Sequence, residues 1–160
     1  VLIYETTATP VAPLATGSSI TNTATITGGG LTTPITAQAT VETANSAELS
    51  ISKALSPTTV TENGQITYTF VISNTGNTEA TATGNVVVTD TFDPILRNIA
   101  VTYNGTAWTE GTNYTYNAAT GVFTTLAGQI TVPAATFTQN TDGTFTVTPG
   151  TATLVITGTI

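Results

Sequence analysis

Residues able to move protons, attack carbonyls or hold metals are scarce in this chain. Histidine, cysteine and methionine are absent. Without histidine the side chain that titrates nearest neutrality is missing. Without cysteine neither a thiolate metal site nor a disulfide framework can form. The acids Glu5, Glu42, Glu48, Glu62, Glu79, Asp93, Glu110 and Asp142 are scattered without the spacing of a calcium loop, and nothing nominates a catalytic pair among them. The basic residues are Lys53 and Arg97, so a lysine nucleophile is limited to one position. Trp108 with Tyr103, Tyr114 and Tyr116 is a candidate sugar-binding surface, with Trp108 and Tyr114 its leading members, set against simple packing around an inserted hairpin. Asn104-Gly105-Thr106 and Asn113-Tyr114-Thr115 match the glycosylation sequon, a match that abundant threonine also produces by chance. The expectation is a protein that is not an enzyme, with no cofactor and no metal.

Composition narrows the partners. Nine acidic residues against two basic ones give a net charge of −7, which offers phosphate backbones and anionic lipid nothing to bind. More than a quarter of the 160 residues are threonine, and charged residues are only 7%, against roughly 25% in an average soluble domain. Threonine and valine are stiff at the first side-chain torsion and suit a pleated, half-buried strand. A hydroxyl-covered surface suits an exported β-fibre, and the lack of easily oxidised methionine and cysteine suits a long-lived object outside the cell. No run of about 20 apolar residues is present, so no membrane insertion is expected. The chain opens on Val1-Leu2-Ile3-Tyr4 without a starting methionine or a signal-peptide pattern, and is expected to have been processed, cut or taken from an internal position.

These residues must be positioned by strands, because strand signals run from end to end and no segment has helical periodicity. Residues 49–53, 66–72, 86–89, 99–103, 114–116, 122–125, 145–148 and 153–157 alternate or run apolar as strands do. Between them Asn63-Gly64, residues 74–77, Asn104-Gly105, Thr120-Gly121 and Asp142-Gly143 supply positive-φ turn positions. The expected architecture is all-β, an immunoglobulin-like β-sandwich over residues 48–160. Gly28-Gly29-Gly30 and Pro34, followed by two Thr/Ala-rich strand-like stretches and then Asn45-Ser46-Ala47-Glu48, mark a change of organisation, read as a linker over residues 28–47. Residues 1–27 form a separate N-terminal segment, with strands expected over 2–6 and 19–26, too small to bury a core alone.

Residues 66–77, a tyrosine-bearing strand ending in Asn74-Thr75-Gly76, followed by Val86-Val87-Val88-Thr89-Asp90, resemble the core signature of the bacterial conserved repeat domain of unknown function number eleven. Repeats of that family end in a strand resembling Ile20-Thr21-Asn22-Thr23-Ala24-Thr25-Ile26, which here sits near the N-terminus. The resemblance implies a domain over 48–160 lacking its last strand, and a spare last strand at the opposite end. Two arrangements fit. The chain is a window cut from a tandem array, or separate subunits polymerise head to tail, each giving Ile20, Asn22, Ala24 and Ile26 as donor-strand residues to the next sandwich. A chain ending after the strand at residues 153–157 favours polymerising subunits.

The family is similar to the fibre domains of Gram-positive pili, in which a lysine on the first strand and an asparagine on the last condense into an isopeptide bond beside a carboxylate. The reaction needs a neutral amine, which burial favours. The matching positions are Lys53, Asn22 and Asp90, so that an Asn22 supplied by a neighbouring subunit would staple subunits together. Each residue also has an ordinary alternative: Lys53 snorkelling, Asp90 forming a turn or cap, and Asn22 bonding a loop. The functional expectation is a structural subunit of an extracellular bacterial filament or pilus-like fibre on a cell or spore surface, with identical subunits as partners. The alternative is an adhesin-type repeat binding glycans or host proteins.

Overall fold

The computed structural model describes residues 3–5, 7 and 14–160. The described residues form twelve β-strands, one short 3-10 turn at Ala82–Gly84 and no α-helix. All strand pairs are antiparallel. The chain divides into two compact units, Val1–Asn45 with Thr136–Thr148, and Ser46–Ala135 with Pro149–Ile160.

The first unit contains two hairpins. Strands β1 (Ser19–Ile26) and β2 (Ile35–Glu42) pair along their whole length, Ser19 opposite Glu42 and Ile26 opposite Ile35. Gly28, Gly29 and Gly30 lie in the turn between them, all at positive φ, where a side chain would crowd the backbone. Residues 28–47, expected as a linker, therefore contain a strand and its turn. The expected strand at 2–6 is not formed at residues 3–5, while Leu2 and Thr6 lie outside the described residues.

The second unit carries the core. Its larger sheet has the order β3 (Leu49–Ser56), β4 (Gln65–Asn74), β12 (Gly150–Thr159), β6 (Arg97–Tyr103), β7 (Thr106–Trp108). Its smaller sheet has the order β5 (Thr89–Thr91), β9 (Val122–Thr125), β8 (Tyr114–Asn117). The remaining strands, β10 (Thr136–Gln139) and β11 (Phe145–Thr148), make the second hairpin of the first unit. Alternation decides what is buried. Ile66, Tyr68, Phe70 and Ile72 of β4 and Ala152, Leu154 and Ile156 of β12 pack in one cluster with Phe92, Phe123 and Tyr114 from the side of the smaller sheet.

Turn chemistry fixes two connections. Asn104 and Gly105 both take positive φ between β6 and β7, as a two-residue hairpin of matching twist requires. The turn after β4 has a different cause from the one expected, since none of residues 74–77 is at positive φ. Asn74, fully buried, accepts from the Glu48 and Gly76 amides at 2.9 and 3.0 Å and donates to the Thr78 and Pro133 carbonyls at 2.8 and 3.1 Å. A Cβ on Gly76 would lie 2.2 Å from the Ser46 carbonyl oxygen. Close backbone approach, and not φ, requires glycine there.

Candidate functional site: an open groove beside the Lys53–Asp90 pair

Strand β3 pairs only with β4 and leaves its other edge without a partner among the described strands. Its register with β4 sets Leu49, Ile51, Lys53 and Leu55 opposite Asn74, Ile72, Phe70 and Tyr68. These side chains therefore continue the core-facing side of β4. Yet Leu49, Ile51 and Leu55 remain 40%, 54% and 43% exposed, while the β4 residues opposite them are buried. A core-facing row of a sheet is left uncovered.

The second wall of the opening is the segment leading into β5. Residues 86–88 were expected to be part of a strand, but the ladder begins only at Thr89. Val88 is still anchored, its amide donating to Thr125 Oγ1 and its carbonyl accepting from the Thr125 amide, both at 2.9 Å. Along the other edge of β5 no described strand pairs. Between β3 and this segment lies a groove of about 190 Å³, lined by Leu49, Ser50 and Ile51, by Ile72, and by Val86, Val87 and Val88.

Beyond the lining residues, two polar side chains from β3 and β5 meet. Lys53 Nζ donates to Asp90 Oδ2 at 2.5 Å, with the lysine side chain 41% and the aspartate 19% exposed. The ammonium also lies over the rings of Tyr68, Phe70 and Phe92, at 4.6, 5.5 and 5.5 Å from their centres. Aromatic faces attract a cation and at the same time remove water from one side of it. Asp90 Oδ1 accepts from the Thr91 amide at 3.0 Å, so its carboxylate is held from two sides.

Asn22 lies on β1, and its side-chain amide donates to the Tyr4 hydroxyl. Alternation puts Asn22 on one face of the β1–β2 hairpin with Ile20, Ala24 and Ile26 and, through the register, with Ile35, Ala37, Ala39 and Val41. The opposite face is serine, threonine, glutamine and glutamate. Every residue of both strands is exposed, Ile26 at 62% and Val41 at 70%. A two-stranded ribbon with one bare apolar face is marginal alone.

The candidate aromatic surface is corrected by the structure. Tyr114 is only 4% exposed and its ring packs 5.2 Å from Phe123. Trp108 stacks on Tyr103 at 4.8 Å and packs against the core. Packing explains these rings, and Trp108 and Tyr114 do not present a common face for a sugar. Among the described residues no group of three or more acids is placed to hold a metal ion.

Comparison with protein-family models, with curated proteins and with solved structures finds no match.

Proposed function

We propose that this chain is a structural subunit of an extracellular bacterial fibre, and that neighbouring subunits complete each other's sheets by β-strand complementation. The observation that carries the reading is the uncovered core-facing row of β3 facing the free edge of β5. Unpaired edges are templates for an added strand, and backbone hydrogen bonds would carry the contact. Two sheets of unequal width sharing one core support an immunoglobulin-like sandwich that a neighbour's strand makes whole. The spare β1–β2 ribbon with its bare apolar face supports the same reading from the donor side. A head-to-tail contact of this kind does not close on itself and produces a filament. Low charge, abundant threonine and the absence of cysteine and methionine support a durable object outside the cell.

The same reading includes a covalent lock. When a donor covers the groove, water is excluded from the Lys53–Asp90 pair, and its proton passes from the ammonium to the carboxylate. The neutral Nζ attacks Cγ of an incoming Asn22, and the Asp90 carboxyl, hydrogen-bonded to the amide oxygen, steadies the charge that develops there. The new Cγ–Nζ amide bond forms as the Cγ–Nδ2 bond breaks, and the nitrogen leaves as ammonia with protons relayed through Asp90. No oxidant or cofactor is required.

The test is to follow the purified chain by light scattering and electron microscopy, then boil the assemblies in detergent. Filaments and a ladder of multiples, each step lighter by one ammonia, are expected. A chain that remains monomeric at high concentration rejects the fibre reading. Filaments that fall entirely to unmodified monomers reject only the lock.

A further inference from the structure

We infer that the groove receives the whole β1–β2 hairpin of a second copy, with β1 antiparallel to residues 86–91 and Asn22 level with Asp90. This rests on the fibre reading and specifies its joint. β1 and β2 are held by an eight-pair ladder and share one apolar face, so detaching β1 as a single donor strand would break that ladder and leave Ile35, Ala37, Ala39 and Val41 bare. Carried as a unit, the hairpin widens the smaller sheet and turns its apolar face toward the exposed Leu49, Ile51 and Leu55.

Polarity matching sets the register. The apolar face of the hairpin carries one polar side chain, Asn22, and the inward rows of β3 and residues 86–92 carry Lys53 and Asp90 bonded to each other. Placing Asn22 at their level avoids burying any of the three without a partner. Direction then follows from what fills the groove beyond the pair. From Lys53 back to Leu49 and from Asp90 back to Val86 the groove is lined by Leu49, Ile51, Ile72 and Val86–Val88, with Ser50 its one polar member. An antiparallel β1 brings Ala24 and Ile26 there, both apolar, whereas a parallel β1 brings Ile20 and then the polar Ser18.

The absence of cysteine allows a direct test with the full chain. Thr23 and Thr89, both exposed, come opposite each other in the inferred pairing, whereas a parallel pairing at the same level sets Thr23 opposite Thr91. Mixing Thr23→Cys with Thr89→Cys under mild oxidation is expected to give a disulfide-linked heterodimer, and mixing Thr23→Cys with Thr91→Cys is not. The reverse result overturns the direction. In parallel, Ala37→Glu on the apolar face of β2 is expected to weaken self-association about tenfold or more, with Thr36→Glu on the opposite face as a neutral control. Unchanged association of Ala37→Glu, with Trp108 fluorescence confirming a native core, would mean that β1 alone is donated and would sink the hairpin claim. Failure of the unaltered chain to associate at all would remove the fibre reading and this joint with it.

Discussion

Lys53 Nζ and Asp90 Oδ2 meet at 2.5 Å from strands β3 and β5 beside an open groove, 37 residues apart in sequence, with the lysine held over three aromatic rings. The lysine is exposed enough that the pair contributes little to the isolated chain, since exposed ion pairs are worth about 0.2–1 kcal/mol. Its position in an otherwise apolar row is therefore not explained by stability. Lys53→Arg keeps a cation for Asp90 but removes the amine nucleophile. We expect it to shift the denaturation midpoint of the monomer slightly and to leave filaments intact. After boiling in detergent, however, those filaments should run as monomer. If the arginine variant still gave a covalent ladder, Lys53 would not be the linking residue.

Asn74 predicts a much larger stability effect. Its side chain makes four hydrogen bonds that tie the end of β4 to residues 48, 76, 78 and 133. Removing it leaves two backbone donors and two backbone acceptors without that partner in a buried site, each costing about 1–3 kcal/mol unless water enters. Asn74→Ala is expected to destabilise the second unit by at least about 3 kcal/mol, read as a lower midpoint in urea by Trp108 fluorescence. A change below about 1 kcal/mol would show that the site rehydrates freely.

Sequence made some of these features legible and hid others for physical reasons. The alternation of Ile66, Tyr68, Phe70 and Ile72 with polar or less buried neighbours announces β4, and Asn104-Gly105 announces the β6–β7 hairpin, because both signals are local. β2 lies in a stretch of strand-like composition that is nevertheless assigned to the expected linker. Its apolar positions are isoleucine, alanine and valine among threonines, a weak alternation, and three glycines read as a boundary when they form a turn. Residues 86–88 have strand composition, but pairing is decided by whether another strand lies beside them. Tyr114 looked available as a binding surface because an aromatic side chain does not reveal, by itself, which face of a strand it occupies. Lys53 and Asp90 stand out in the sequence only through a family resemblance, and their contact depends on how two sheets are stacked, which no local pattern encodes.

The buried Tyr103 and Tyr114 and the partly buried Tyr116 predict a stability limit at alkaline pH. Burial raises Tyr103, Tyr114 and Tyr116 above the ordinary value of 10.0, and for Tyr114 the carboxylate of Glu110 adds to the effect. In the neutral form Tyr103 donates to the Thr131 carbonyl at 2.7 Å, and Tyr116 donates to the Leu96 carbonyl at 2.8 Å while accepting from the Leu96 amide at 3.0 Å. For groups whose value is higher folded than unfolded, the stabilisation is fully present below the unfolded value and disappears as pH rises through the folded one. Urea midpoints should therefore be insensitive to these phenols near neutrality and fall steeply above about pH 10. Phenolate absorbance should develop in step with unfolding for these three residues. Tyr116→Phe, which keeps the ring and loses both hydrogen bonds to Leu96, should lower the midpoint at neutral pH and flatten its alkaline fall. If the phenolate signal of all the tyrosines developed near pH 10 while the fold stayed intact, burial would not be what raises them.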